Sequence, residues 1–227
     1  DASLYGIYTG SLTDSSVTNS GLIDLNVAVP SPGFSINTAY GIYISGSMTN
    51  SQVTNSGTIS LEDFFVSEID EVYGIYVSGS LTDSSVLNSG RILIEGTATD
   101  DSAYAAGIYT GSLSGTSSVS NTGLISFDLD SYTENTAYGI YTGGIDTAST
   151  VSNSGTIRMH GTDLTSSVTQ YGMYSYNTNS GSFLNSGLIE QTAEVFADAY
   201  VYQYGMYQSS GVGATGTMEN SGTISMS

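Results

Sequence analysis

The stretch AYGIYTGG at residues 137–144 decides the fold, because close copies of it return along the whole chain. LYGIYTGS stands at residues 4–11 and AAGIYTGS at residues 105–112. The glycine of this motif recurs at a spacing of 32 to 35 residues, at Gly6, Gly41, Gly74, Gly107, Gly139, Gly172 and Gly205. Internal repeats of this period are typical of proteins built from stacked structural units.

A second motif, Asn-Ser/Thr-Gly, keeps the same period. In one copy the sequence alternates, with apolar residues, asparagine and glycine at every second position: Val86, Asn88, Gly90, Ile92 and Ile94. Alternation with a period of two predicts β-strands that bury one face. A glycine in the middle of such a run predicts a corner where two strands meet.

These patterns predict an all-β protein, a right-handed parallel β-helix (β-solenoid) of about seven turns of about 33 residues. The right-handed sense follows from the general preference of parallel crossover connections. No segment of the sequence shows the 3.6-residue period of an amphipathic helix. We expect residues 1–227 to form a single β-solenoid domain, either a segment of a longer protein or a subunit that stacks on copies of itself.

The asparagine of the second motif falls at the same corner in every unit. Stacking would bring these side chains into a ladder in which each amide bonds to its neighbours above and below. The alternative is that asparagine serves the left-handed backbone conformation of a turn. The residues concerned are Asn19, Asn55, Asn88, Asn121, Asn153, Asn185 and Asn220.

The first motif predicts two further columns. We expect the isoleucines, continued by methionine, to point inward, at Ile7, Ile42, Ile75, Ile108, Ile140, Met173 and Met206. Tyrosines of opposite parity would point outward as a possible interaction surface, at Tyr8, Tyr43, Tyr76, Tyr109, Tyr141, Tyr174 and Tyr207. The glycine between them is expected to leave room beside the tyrosine ring.

Charge excludes several classes of partner. The chain carries 21 acidic and two basic residues, a formal net charge of −19. Phosphate groups would be repelled, so nucleic acid and anionic membrane surfaces are excluded. The chain has no cysteine and no apolar run long enough to cross a bilayer, so we expect no disulfide and no membrane insertion by this segment.

Candidate catalytic residues are few, and we expect no enzyme. His160 has no second histidine for a metal pair, and Arg91 and Arg158 fall in different columns of the repeat. Two carboxylates would suffice for glycoside hydrolysis, and 21 acids produce such pairs by chance. The candidates are Glu62, Asp63, Glu68, Asp70, Glu71, Asp128 and Asp130.

No cofactor is expected, and calcium is the one ligand that the acidic segments favour. Asp100 with Asp101, Asp128 with Asp130, and the 62–71 cluster could supply oxygen ligands. The chain has no EF-hand loop, and we interpret these acids as solvated loops. Residues 26–38 and 62–71 differ most between units and are expected to form variable loops or outer strands on one side of the rod.

Ala/Val-Tyr-Gly-Ile-Tyr followed by Asn-Ser-Gly-Thr/Leu-Ile resembles the repeats of autotransporter-type passenger domains, which are bacterial surface β-solenoids. The resemblance implies secretion or display on the bacterial cell surface, and in many members adhesion. We therefore expect a non-enzymatic extracellular structural and adhesive stalk that binds a host or environmental surface ligand.

Two other functions remain open. Units that stack through their strand edges would make the chain a self-assembling subunit of an extracellular filament, with copies of itself as partners. Less favoured is a polysaccharide-active enzyme, because some parallel β-solenoids have that activity.

Overall fold

The computed structural model describes residues 2–26, 36–66, 71–98, 103–131, 135–164, 167–177, 179–195 and 200–227. Within these ranges the chain forms β-strands, bends and turns, and no helix occurs. Accordingly, this part of the chain contains no helix long and apolar enough to span a membrane. The all-β prediction is confirmed.

The strands form four parallel sheets, and one strand from each sheet in turn makes a rung of the solenoid. Sheet 1 contains Ala2–Thr9, Ile36–Ile44, Glu71–Val77, Ala103–Thr110, Asn135–Thr142, Val168–Ser175 and Val201–Gln208. Sheet 2 contains Leu12–Thr13, Met48–Thr49, Leu81–Thr82 and Leu113–Ser114, and single bridges at Ile145, Asn179 and Val212 continue it. Sheet 3 contains Ser16–Asn19, Gln52–Asn55, Ser85–Asn88, Ser118–Asn121, Thr150–Asn153, Ser182–Asn185 and Thr217–Asn220. Sheet 4 contains Leu22–Asn26, Thr58–Val66, Arg91–Ala98, Leu124–Ser131, Thr156–Leu164, Leu188–Val195 and Thr223–Met226.

Equivalent residues of successive repeats pair directly with each other. Tyr73 pairs with Tyr40 on one side, and Asn88 pairs with Asn55 on the same side in sheet 3. The predicted parallel β-solenoid is therefore confirmed. Seven strands in each of the three long sheets give seven rungs, which span about six complete turns.

The core consists of columns of identical or similar apolar residues. Ile108 of sheet 1, Val119 of sheet 3 and Ile125 of sheet 4 are each fully buried, as are most of their equivalents in the neighbouring rungs. Each fully buried aliphatic side chain stabilises the folded state by about 1.5–3 kcal/mol relative to the same side chain left exposed. The isoleucine–methionine column thus points inward, from Ile42 to Met173 without any exposure.

A sharp corner separates sheets 3 and 4 at the Asn-Ser/Thr-Gly motif. The sheet 3 strand ends at Asn88 and the sheet 4 strand begins at Arg91. Across the corner, the N–H groups of Ser89 and Gly90 both donate to the carbonyl oxygen of Asn55, at 2.8 and 3.1 Å. The two strands predicted on either side of the motif are present.

The asparagines at this corner form a continuous ladder of hydrogen bonds. Asn55 Nδ2 donates to Asn88 Oδ1 at 2.8 Å, and the same geometry links all seven rungs, with a shorter last step of 2.6 Å. The second proton of Asn55 Nδ2 is donated to the carbonyl oxygen of Arg91 at 3.1 Å. The five interior side chains are at most 1% exposed, so the ladder satisfies amides that have no access to water.

Another buried asparagine, Asn179, has no such support. It lies in the inward column of sheet 2, between Ile145 and Val212, and is fully buried. Among the described residues, neither its Nδ2 nor its Oδ1 atom has a hydrogen-bond partner. Burial of an unpaired amide is costly, so this position weakens the sixth rung.

Glycine of the Tyr-Gly-Ile-Tyr motif is required because sheets 1 and 4 approach closely. A Cβ atom at Gly107 would overlap Cγ2 of Ile125 and lie 2.8 Å from the carbonyl oxygen of Gly139. The missing side chain would thus point into the core. The expectation that this glycine leaves room beside the tyrosine ring is wrong, because the space is taken by the sheet 4 isoleucine.

Gly107→Ala is expected to lower the free energy of unfolding by about 1–3 kcal/mol, because the added methyl group overpacks the core. Urea unfolding followed by circular dichroism measures this change. The matched control is Gly10→Ala, since a Cβ at Gly10 meets no atom within 4 Å. Equal effects of the two substitutions would contradict the close approach.

The same substitution should have opposite effects at two buried asparagines. Asn121→Leu leaves Asn88 Nδ2 and Asn153 Oδ1 without their ladder partners and should destabilise the chain by about 2–4 kcal/mol. Asn179→Leu removes unpaired polar atoms from an apolar column and should stabilise the folded chain by about 1 kcal/mol. Thermal and urea unfolding test both, and a loss of stability in the second variant would show that Asn179 has a partner.

Candidate functional site: the tyrosine face of sheet 1

Sheet 1 presents two adjacent columns of tyrosine on its outer side, which we call the tyrosine face. The column following isoleucine consists of Tyr8, Tyr43, Tyr76, Tyr109, Tyr141, Tyr174 and Tyr207. The column preceding glycine consists of Tyr5, Tyr40, Tyr73, Tyr138, Tyr171 and Tyr204, with Ala106 at the fourth rung.

Both tyrosines of each Tyr-Gly-Ile-Tyr motif lie on the same side of the sheet. The rings of Tyr40 and Tyr43 stack at 4.6 Å with an interplanar angle of 15°, whereas Ile42 between them is fully buried in the core. Strict alternation would place Tyr40 on the side of Ile42. The alternation of inward and outward side chains is interrupted at the glycine. Ala39 and Ile42 both face inward although two residues, and not one, separate them.

Ring contacts run without a break from the first rung to the seventh. Tyr109 and Tyr141 stack in parallel at 4.3 Å, and Tyr171 and Tyr204 stack at 4.9 Å. Apart from stacked pairs on the first two rungs such as Tyr40 and Tyr43, contacts between the two columns are edge to face or tilted, as at 4.5 Å between Tyr73 and Tyr76. Such pairs are worth about 0.5–1.5 kcal/mol beyond their burial, so the rings form a rigid surface.

The tyrosines singled out from the sequence point outward but differ in exposure. Tyr8 on the first rung is 59% exposed, whereas Tyr174 is only 9% exposed because neighbouring rings cover it. The others in this column are half-buried. The column preceding glycine was missed by sequence reasoning, and its signal was the Tyr-Gly pair that six of the seven motifs contain.

The tyrosine face is interrupted at Ala106, where a small side chain takes the place of a ring. The ring of Tyr104, from two residues earlier, partly fills the gap and lies 5.0 Å from that of Tyr138 and 5.7 Å from that of Tyr73. An open groove of about 380 Å³ runs along the tyrosine face from the third rung to the sixth. It is lined by Glu71, Tyr73, Tyr76, Tyr104, Tyr109, Tyr138, Tyr141, Tyr174 and Tyr176.

The packed rings keep their hydroxyl groups protonated. Burial, together with the nearby Glu71 carboxylate, raises the pKa of Tyr40 to about 12. Burial is also the main cause of the raised pKa values of Tyr73, Tyr76 and Tyr104. The tyrosine face is therefore a neutral aromatic surface at physiological pH.

Charged residues of sheet 4 pair across neighbouring strands. Arg158 Nε donates to Glu190 Oε2 at 2.7 Å, and His160 Nδ1 lies 3.3 Å from Asp128 Oδ1. Arg91 stands in a different column from Arg158, as its pairing with Leu124 shows. These contacts connect rungs on the outer side of the sheet.

The acidic segments are only partly described. Glu62 accepts a hydrogen bond from Ser60 Oγ. Asp63 and Asp130 lie on sheet 4 strands. Glu68, Asp70, Asp100 and Asp101 fall outside the described residues, as does most of the 26–38 segment. Within the described ranges, no three His, Cys, Asp or Glu side chains are grouped so as to hold a metal ion.

Stability should fall as pH rises above about 10. Tyrosines of the unfolded chain lose their protons near pH 10, while the raised pKa of Tyr40, about 12, keeps it protonated in the folded state. The folded chain then binds more protons than the unfolded one, so stability is complete below pH 10 and is lost as pH approaches 12. Absorbance at 295 nm of folded and urea-unfolded chain measures the two titrations.

Tyr40→Phe is the matched variant for this titration and should remove one late step from the folded-state curve. Coincident titration of folded and unfolded chains would contradict the buried aromatic surface.

No protein-family model matches the chain, and neither curated proteins nor solved structures gave a significant match. The fold itself assigns the chain to the parallel β-solenoid repeat proteins.

Proposed function

We propose that the chain is a non-enzymatic structural and adhesive β-solenoid of the extracellular bacterial surface, of the kind found in autotransporter passenger stalks. The observation that carries this proposal is the tyrosine face, which extends over all seven rungs. A continuous aromatic surface of this length is more than packing of the core requires, since the core is closed by the inward columns.

The chemistry of the face suits binding to a surface. Tyrosine combines an apolar ring with a hydroxyl group, so it stacks on sugar rings or apolar partners while keeping a polar tip. The rings are held by one another on a hydrogen-bonded sheet, and little conformational entropy is lost when a partner binds. A rod with repeated weak contacts binds through several at once, which raises its overall avidity.

Charge supports an extracellular, non-catalytic role. A net charge of −19 keeps a long rod soluble and separate from like-charged neighbours. Arg158 and His160 contact Glu190 and Asp128 on sheet 4, and neither lines the groove of the tyrosine face.

The polarity of the asparagine ladder favours a second candidate, a subunit that stacks end to end into an extracellular filament. In each step the amide nitrogen of one rung donates to the oxygen of the next. On the first described rung, Asn19 Oδ1 accepts from Gly21 N–H at 3.2 Å. On the last described rung, Asn220 Nδ2 donates to the Gly222 carbonyl at 3.4 Å, its one acceptor among the described residues. A second copy that placed its Asn19 on Asn220 would continue the ladder.

Adhesion is tested with beads coated with the chain and applied to polysaccharide films and host-cell layers. Coated beads should be retained, and replacing Tyr8, Tyr43 and Tyr207 together by serine should reduce retention about tenfold, because three stacking contacts are lost. Circular dichroism checks that the variant keeps its fold.

The matched control is Leu22→Ser, which changes a side chain that is 65% exposed on sheet 4. Retention no better than that of uncoated beads would overturn the adhesive proposal. Electron microscopy of the same preparation then decides the second candidate, since filaments that Asn220→Leu abolishes would support it and dispersed particles would contradict it.

A further inference from the structure

The groove on the tyrosine face has a lining of distinctive composition. Eight of the nine lining residues are tyrosines, and the ninth is Glu71. The lining runs from Glu71 on the third rung to Tyr174 and Tyr176 on the sixth. It includes Tyr104, whose ring lies beside the position where the fourth rung has Ala106 in place of the tyrosine of its neighbours.

The electrostatics of the groove favour a cation. Glu71 has no Arg or His within ion-pair distance among the described residues. The chain contains no lysine, and Arg91 and Arg158 both lie on sheet 4. The carboxylate and the tyrosine rings that line the groove thus have no Arg, Lys or His beside them among the described residues. The ring of Tyr104 is tilted by 45° to that of Tyr73 and by 34° to that of Tyr138, unlike the stacked rings of Tyr109 and Tyr141.

We propose that this groove binds an alkylammonium group. Ring faces attract an ammonium or quaternary ammonium ion through the ring quadrupole, and the attraction grows when the cation leaves water. Tyr73, at 3% exposure, and Tyr104 give the floor of the groove an apolar character. Glu71 supplies the counter-charge, and the methyl or methylene groups of the ligand contact the remaining rings.

Other ligand classes fit this groove less well. An anion would be repelled by Glu71 and by the net charge of −19. A neutral sugar would use ring stacking alone, without gain from the carboxylate. These two classes are therefore outcomes of the test that would overturn the proposal.

The experiment compares choline with 3,3-dimethyl-1-butanol, which has the same shape without the charge, by titration into the folded chain. Ring-proton shifts of the tyrosines in NMR spectra report binding at the groove, and calorimetry gives the affinities. Choline should bind about tenfold or more tightly than the neutral alcohol. Nα-acetyl-lysine amide, a primary ammonium, and glucose complete the series and show which ammonium class is preferred and whether a sugar competes.

Two variants locate the site. Glu71→Gln should weaken choline binding about fivefold, while the control Glu190→Gln, which removes a charge from sheet 4, should leave it unchanged. Ala106→Tyr restores the tyrosine found on the neighbouring rungs and should abolish binding, because the added ring would displace the ring of Tyr104, which lines the groove. Equal affinities for choline and the neutral alcohol, or full binding by Glu71→Gln, would overturn the proposal.

This inference uses the face on which the proposed function rests, but the two can fail separately. Choline binding without retention of coated beads would keep the cation site and remove the adhesive role. If choline does not bind, and Ala106→Tyr leaves the retention of coated beads unchanged, the adhesive role is kept and the cation site is removed.

Discussion

The buried asparagine ladder is the constraint on which the rest of the structure depends. An interior asparagine such as Asn88 is fully buried, and its amide is satisfied only if the next rung places another asparagine directly above it. An unpaired buried amide costs about 1–3 kcal/mol, so a rung that slipped by one residue would be penalised at this corner as well as in its apolar columns. The ladder thus fixes the register of sheet 3.

Once sheet 3 is in register, the glycines of the Tyr-Gly-Ile-Tyr motif set the distance between sheets 1 and 4. Gly107 lies against Ile125, so sheets 1 and 4 meet at a distance that no other residue at this position allows. At the same glycine the alternation of inward and outward side chains along the sheet 1 strand is interrupted. Both tyrosines of the motif therefore lie on the outer side. The tyrosine face is therefore a consequence of the packing between sheets 1 and 4.

Much of this architecture could be predicted from the sequence because identical rungs share one environment. The constant period of Gly6, Asn19 and their equivalents implies stacked strands, and stacked strands imply ladders and columns. The second tyrosine column could not be predicted by alternation, since the parity shift at glycine depends on a contact with sheet 4. The groove could not be predicted either, because its lining combines side chains from four rungs, including Tyr104, which belongs to neither tyrosine column. Asn179 was missed for a similar reason, as its burial is evident only from its bridge partners.

The most direct test of the account is hydrogen exchange of the asparagine side-chain amides, followed by NMR. Both protons of Asn55 Nδ2 are donated, to Asn88 Oδ1 and to the Arg91 carbonyl, so the ladder amides should exchange orders of magnitude more slowly than a free amide. Asn50, exposed in a turn, is the internal reference. Slow exchange of Asn55, Asn88, Asn121, Asn153 and Asn185 would establish the ladder in solution. Exchange of these five at the rate of Asn50 would contradict the register from which the core, the close approach of sheets 1 and 4 and the tyrosine face all follow.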